Sequence, residues 1–196
     1  MLEVKKINVP DLDKVGNDGM KEDEVVNVVT MKWGTKYDSE YVNKIYRGIE
    51  RNTSKKFNFI CFTDNSEGLD QRIEVREILE DWKRLVCKST MFSDLHKLEG
   101  LNFFIDLDMI ITGNLDEILS YKGNFALMCT DQIQNETLNK GGYNSSVVLW
   151  RGKAFDPIYS TLKECFEDLI KFVFRFDYWL EMIVVGSEFV QNVFPG

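Results

Sequence analysis

Short apolar runs of strand length alternate along the chain with segments of helical character. This alternation predicts an α/β domain with a mostly parallel central sheet flanked by helices. The predicted strands are 25–31, 57–63, 73–75, 101–105, 125–129 and 147–150. The predicted helices are 41–52 with Ser39 as N-cap, 82–98, 115–119, 157–166 or beyond, and 176–184. Sheets of this class bind ligands at the carboxyl ends of their strands, so we expect the functional residues there.

The composition is that of a globular protein, with 44% hydrophobic and 29% charged residues among 196. We expect residues 1–24 to be a polar lead-in and residues 25–196 to form a single domain of a longer protein. The net charge of -8 and the lack of a basic run argue against nucleic acid as a partner. No apolar run approaches the roughly 20 residues of a membrane span, and a cytoplasmic location is predicted.

The cysteines and the histidine restrict the chemistry that is available. Four cysteines, Cys61, Cys87, Cys129 and Cys165, are widely scattered, which favours free thiols over a disulfide framework or a zinc site. His96 is the only histidine. Zinc sites built on histidine and Ser-His-Asp triads therefore have little support.

Two aspartates interrupt the apolar run from Phe103 to Ile111. In an extended strand, Asp106 and Asp108 share a face, where two carboxylates repel each other and are costly to desolvate. Mg²⁺ or Mn²⁺ would offset that cost and would also bind the phosphates of a ligand. The alternative is a strand end where both side chains simply reach solvent.

Polar residues follow several of the predicted strands. Thr30, Asp64, Asp106 and Asp131 stand at strand ends, and we expect them to converge on one edge of the sheet. The chain has neither a Gly-x-Gly-x-x-Gly nor a Gly-x-x-x-x-Gly-Lys-Ser/Thr segment. A standard dinucleotide-binding fold or a P-loop is therefore not expected.

Two longer blocks carry a family resemblance. Phe104–Leu119 combines the aspartate pair with Asn-Leu-Asp-Glu-Ile-Leu, and Tyr143–Trp150 reads Tyr-Asn-Ser-Ser-Val-Val-Leu-Trp. Together they resemble the glycosyltransferases of the GT-A fold, glycogenin among them, with Ser146 in place of the glycine in their Asn-Ser-Gly-Val strand. The likeness is greatest to the glycosyltransferase domain of large chlorella-virus proteins, and for a viral protein the location would be the host cytoplasm.

The resemblance implies a metal-dependent enzyme that moves a hexose or deoxyhexose, of glucose or rhamnose type, from a UDP-sugar to a glycan acceptor. Asp108 would hold Mn²⁺ or Mg²⁺, and Asp106 would either share the metal or hydrogen-bond the ribose. The implied donor-binding residues are Thr30, Lys32, Trp33, Tyr37, Asp64, Lys88, Asp106, Asp131, Asn144 and Ser145. Among these, Trp33 or Tyr37 would stack on uracil, and Lys88 would contact the phosphates, although a helix lysine is by itself more often solvated.

Two departures from the family leave the chemistry open. No C-terminal His-x-x-Gly-x-x-Lys-Pro segment supplies a third metal ligand, and the stretch around Asp177 differs from the Asp-Gln of retaining relatives. Asp177 would be the base of an inverting reaction or would stabilise the sugar cation of a retaining one. Phe172, Phe174 and Phe176 are predicted to be packing residues, with a platform for the acceptor as the alternative.

Three other functions stay open beside this one. A metal-dependent nucleotidyltransferase would need a glycine-rich basic loop near the first strand, where only Lys32 and Gly34 stand. A phosphohydrolase of the Asp-x-Asp type would place the pair at the first strand. A non-catalytic domain that binds nucleotide sugars would differ from an enzyme only in turnover.

Overall fold

The computed structural model describes residues 24–80, 82, 85–129, 142–153, 155–184 and 191–192. One seven-stranded sheet organises them, in the order β3-β2-β1-β4-β6-β5-β7. The strands are β1 (Val26–Lys32), β2 (Phe57–Thr63), β3 (Glu74–Arg76), β4 (Leu101–Ile105), β5 (Phe125–Cys129), β6 (Tyr143–Arg151) and β7 (Gln191–Asn192). The α/β prediction is thereby confirmed.

The sheet is mixed, because β6 runs against both of its neighbours. It pairs antiparallel with β4 and with β5, whereas β1 pairs parallel with β2 and β4, β2 with β3, and β5 with β7. β6 is also longer than predicted and begins at Tyr143. The start of β6 therefore lies beside the end of β4, at the same edge of the sheet.

Four α-helices and three 3₁₀ helices complete the described fold. The α-helices are α1 (Ser39–Asn52), α2 (Pro157–Glu164), α3 (Phe166–Leu169) and α4 (Phe176–Val184). The N-cap of α1 is Asp38, whose carboxylate accepts the Glu40 amide at 3.0 Å, and the prediction of Ser39 was wrong by one residue. Residues predicted as a helix at 115–119 form the 3₁₀ helix Ile118–Ser120.

The segment 82–98 is not the single α-helix predicted from its apolar spacing. It forms two 3₁₀ helices, Leu85–Phe92 and Asp94–His96, which Ser93 separates. The Ser93 hydroxyl accepts the Leu95 amide at 3.3 Å and starts the second helix, in the way that short hydroxyl side chains compete with a continuous helix. Leu95 is 70% exposed, so the apolar pattern does not form one buried stripe.

Successive residues of the strands pack into two apolar clusters, as the strand pleat requires. Phe103 packs in the cluster that also contains Val42 and Ile49 of α1. Phe104 packs in the other cluster, with Ile158 of α2 and Trp179 of α4. Both faces of the central strands are therefore covered, which leaves the strand ends as the places where polar side chains can meet a ligand.

Candidate functional site

A cleft of about 420 Å³ opens where β1 and β4 end. The loop that follows β1 forms one wall, and the turn that follows β4 forms another. The residues lining the cleft are Met31, Trp33, Gly34, Thr35, Lys36, Tyr37, Lys88, Asp106, Leu107 and Asp108. Five of the predicted site residues are therefore brought together here, namely Trp33, Tyr37, Lys88, Asp106 and Asp108.

The aspartate pair lies in a turn and not on a strand face. β4 ends at Ile105, and the Met109 amide donates to the Asp106 carbonyl at 3.2 Å. Leu107 between them is buried, Asp106 is half-buried and Asp108 is exposed. Both carboxylates line the cleft. They reach it because they lie in a turn, and not because they alternate along a strand as the prediction assumed.

Lys88 is buried against the first aspartate. It is only 7% exposed, and its Nζ lies 2.7 Å from Asp106 Oδ1. Nζ also lies 3.4 Å from both the carbonyl oxygen and Oγ of Ser145. A desolvated ammonium needs such partners, so Lys88 is not the solvated helix lysine of the alternative interpretation. Burial raises the pKa of Asp106, and the positive charge of Lys88 opposes that rise.

The loop after β1 is tied to both neighbouring strand ends. The Tyr37 hydroxyl donates to Asp108 Oδ2 at 3.0 Å, and the Gly34 amide donates to Asp64 Oδ2 at 2.9 Å. Gly34 has a φ of +63°, a conformation that glycine adopts without strain. Trp33 beside it is 39% exposed and lines the cleft, where its ring is accessible to a flat ligand.

Other predicted donor-binding residues lie near the cleft but not among its described lining residues. Thr30 is fully buried in the sheet and donates to the Ile105 carbonyl at 2.8 Å, and Lys32 Nζ donates to the Asn65 carbonyl at 3.0 Å. Asn144 Oδ1 accepts the Ser146 amide at 2.9 Å. Their donor contacts stay predictions, as do those of Asp64 and Ser145. Asp131 lies outside the described residues.

Asp177 is buried in the first turn of α4. Its Oδ1 accepts the Ser145 amide at 2.9 Å, and its Oδ2 lies 3.2 Å from Arg175 Nη2. It does not line the cleft within the described part of the chain. Its predicted role as a base stays a prediction.

Sequence reasoning missed Thr35 and Lys36, which both line the cleft. The Lys36 ammonium lies 4.6 Å from the centre of the Tyr37 ring. The pKa of Lys36 is raised, mainly by its hydrogen bond with Tyr37 and to a smaller extent by the negative charges of Asp108 and Asp106. The available signal was position, since both residues follow a strand that ends at the functional edge of the sheet.

The donor set of the cleft suits a hard divalent cation that a ligand also holds. Among the residues described, no group of three or more His, Cys, Asp and Glu side chains could hold a metal ion. Asp106 and Asp108 supply two carboxylates, and Mg²⁺ characteristically takes one or two carboxylates together with phosphate oxygens and water. The chain therefore fits a cation bound jointly with a diphosphate, while the metal itself stays a prediction.

His96 and the cysteines do not belong to this site. The His96 ring packs edge-on against Phe62 at 4.5 Å, and burial together with the nearby charge of Arg76 lowers its pKa to about 4. Cys61, Cys87 and Cys165 are free, as predicted. Burial raises the pKa of both Cys61 and Cys87 to about 12, so these two are unreactive core thiols.

The aromatic residues before α4 differ in their exposure. Phe176 is buried, which confirms its packing role. Phe172 is 76% exposed and Phe174 is 57% exposed, so the prediction that these two are packing residues was wrong. Their alternation with Val173, which is buried, places them on the outer side of this segment.

No protein-family model and no curated protein matches the chain. The fold resembles a solved structure, the apo-form glycosyltransferase GlyE of Streptococcus pneumoniae TIGR4, with a TM-score of 0.60 and 13% sequence identity. The match covers 84% of this chain and 44% of that chain, so the chain spans less than half the length of GlyE. The likeness confirms a glycosyltransferase-like fold. In the described part of the chain, no helix is long and apolar enough to cross a membrane.

Proposed function

We propose that the chain is a metal-dependent glycosyltransferase that moves a hexose or deoxyhexose from a UDP-sugar to a glycan hydroxyl. The observation that carries the proposal is the charge arrangement in the cleft. Two carboxylates, Asp106 and Asp108, line it together with Lys88, at the carboxyl ends of β1 and β4. A cation on the carboxylates and an ammonium beside them are what a diphosphate requires.

The reaction exchanges one bond for another at the sugar. The bond from the sugar carbon to the diphosphate oxygen breaks, a bond to the acceptor oxygen forms, and the proton of the acceptor hydroxyl passes to the departing diphosphate or to water. Bound Mn²⁺ or Mg²⁺ would neutralise charge on the departing diphosphate. Asp106 and Asp108 would hold the cation, and Lys88 would supply a fixed positive charge in a half-enclosed site where water screens it poorly.

The base of the nucleotide would lie against Trp33. Its indole is exposed at the cleft, and the neighbouring Gly34 amide is fixed by Asp64. Tyr37 is a weaker candidate for stacking, because its ring packs 4.8 Å from Tyr41 and its hydroxyl is bonded to Asp108. We therefore place uracil on Trp33 and the diphosphate towards Lys88.

Calorimetric titration of UDP, with and without Mn²⁺, tests the site. We compare the parent, Asp108→Ala and the matched control Asp168→Ala, which removes an exposed carboxylate that pairs with Lys171 at 3.1 Å in the region of α3. We expect the parent and the control to bind UDP much more tightly with Mn²⁺, and Asp108→Ala to lose most of that gain. Equal metal dependence in all three proteins would refute the proposed cation site.

Turnover separates an enzyme from a binding domain. We expect release of UDP from at least one UDP-hexose or UDP-deoxyhexose in the presence of Mn²⁺ and a glycan acceptor. Metal-dependent binding of UDP without any turnover across such a panel would identify a non-catalytic domain for nucleotide sugars.

A further inference from the structure

Both carboxylate oxygens of Asp177 already have partners inside the protein. Oδ1 accepts the backbone amide of Ser145 at 2.9 Å, and Oδ2 lies 3.2 Å from the guanidinium of Arg175. A general base must reach the proton that it removes, either directly or through one water. The arrangement of Asp177 instead resembles a side chain that holds the backbone in place.

The backbone that it holds is an irregular part of β6. The register between β5 and β6 shifts between Leu127, which pairs with Val148, and Met128, which pairs with Asn144. The register with β4 ends where Ile105 pairs with Val147. Among the described residues, Ser145 has no partner in either ladder, and its buried amide donates instead to Asp177. Irregularities of this kind often re-aim side chains beside functional sites.

Ser145 in turn contacts the Lys88 ammonium. Its carbonyl oxygen and its Oγ each lie 3.4 Å from Lys88 Nζ, and Nζ lies 2.7 Å from Asp106 Oδ1. These contacts form a continuous series from Asp177 through Ser145 and Lys88 to Asp106. We name the four residues the Lys88 relay. Its first member fixes a strand irregularity, and its last member lines the cleft.

We infer that Asp177 is a positioning residue and not the general base: it fixes the Ser145 amide, and Ser145 fixes the Lys88 ammonium against Asp106. The expected effect of Asp177 on turnover rests on the proposed glycosyl transfer. Its expected effect on Lys88 rests only on the contacts of the relay. The two can therefore be tested separately.

The side-chain oxygen of asparagine separates the two roles. Asp177→Asn keeps an oxygen that accepts the Ser145 amide but cannot take a proton, whereas Asp177→Ala removes the acceptor altogether. A positioning residue predicts that Asp177→Asn keeps turnover within a few fold, with an unchanged pH profile, and that Asp177→Ala loses on the order of 10- to 100-fold. A base predicts that both variants lose on the order of 10²- to 10⁴-fold.

Chemical labelling reports on Lys88 without any assumption about catalysis. The amine is treated with acetic anhydride, and its modification is followed by peptide mass spectrometry. Lys32 is the internal control, because it is also buried and its Nζ bonds to the Asn65 carbonyl, away from the relay. We expect Lys88 to label several-fold faster in Asp177→Ala than in the parent, with Lys32 unchanged and Asp177→Asn like the parent.

Each outcome decides between the roles. Faster labelling of Lys88 alone, reversed by asparagine, supports the inference even if the parent shows no turnover and the proposed function fails. Unchanged labelling of Lys88 in a folded Asp177→Ala overturns it, as does an inactive Asp177→Asn with Lys88 still protected. If Asp177→Ala has unfolded, so that both lysines are labelled, Asp177→Asn decides the question. Its readouts are the labelling of Lys88 and, where the parent turns over, the pH profile of turnover.

Discussion

The two ends of the central strands satisfy their polar side chains in different ways. At the amino ends, Asn27, Asn58 and Asn102 form one row across β2, β1 and β4. Asn27 Nδ2 donates to Asn102 Oδ1 at 2.9 Å, and Asn58 Nδ2 donates to Asn27 Oδ1 at 3.2 Å. The Nδ2 of Asn102 donates to backbone carbonyls, including that of Trp150 at 3.3 Å. The neutral amides are thus satisfied by one another and by nearby backbone carbonyls.

At the carboxyl ends, the side chains are charged, and their partners come from other elements. Asp106 is paired with Lys88 of a 3₁₀ helix, and Asp108 accepts from Tyr37 of a loop. Both carboxylates still line an open cleft. The difference teaches that a row of neutral amides with partners inside the protein serves the stability of the sheet, whereas charged side chains that still line a cleft can also bind a ligand.

Removing the most deeply buried amide of the row, that of Asn102, should have the largest effect on stability. Asn102 is fully buried, and Asn102→Ala removes one acceptor of the Asn27 amide and the side-chain donor to buried backbone carbonyls. We expect a loss of about 2 kcal/mol in the free energy of unfolding, measured by urea denaturation. The exposed Asn58→Ala is the control and should cost less. A loss of metal-dependent UDP binding in folded Asn102→Ala would break the distinction between the two ends.

At the other end, Tyr37→Phe removes one hydroxyl and keeps the ring. We expect Mn²⁺-dependent UDP binding to weaken about tenfold, or about 1.4 kcal/mol, because Asp108 loses the hydrogen bond that orients it. The thermal unfolding midpoint should hardly change. Calorimetry of the parent and the variant measures the effect, and tighter binding in the variant would mean that Tyr37 blocks the cation instead of preparing its ligand.

The smallest effect concerns His96, which we place outside the cleft. Its pKa falls from 6.5 to about 4 in the folded protein, through burial and then the charge of Arg76, so the unfolded chain binds a proton more readily between these values. The His96 contribution to stability is therefore complete above about pH 6.5 and declines as the pH falls towards 4. We expect it to be on the order of 1 kcal/mol, reduced by solvent screening.

His96→Phe keeps the contact with Phe62 and removes the titration. The difference in unfolding midpoint between this variant and the parent should move in favour of the variant from pH 7.5 to pH 5. UDP binding should be the same in both proteins at each pH. A constant difference in midpoint across this range would contradict the assignment of His96 as a half-buried neutral group.

The sequence allowed most strands to be predicted, because buried strands are marked by unbroken apolar runs. β2, β4 and β5 have the predicted bounds. The antiparallel direction of β6 could not be predicted in this way, because an apolar run has the same pattern in either direction. The two 3₁₀ helices at 85–96 were missed because Ser93 interrupts an apolar spacing that is otherwise helical.

For the site, the sequence identified charged residues but not their partners. Asp106 and Asp108 were predicted from their spacing, and Lys88 from family resemblance. Buried Lys88 contacts Ser145, which lies 57 residues further along the chain in β6, the strand that runs antiparallel to β4. The Ser145 amide donates to Asp177 where the register between β5 and β6 shifts. We find no residue pattern in the sequence that predicts this shift.

The reversal of β6 also bears on the order in which the molecule assembles. β1 pairs with β2 over a short stretch of chain, whereas β4 meets β6 only after the segment between them has closed into a loop. Closing longer loops costs more chain entropy and slows folding. Since Ser145 of β6 contacts Lys88, which pairs with Asp106, we expect the ability to bind a nucleotide to return late in refolding, after most of the helical signal.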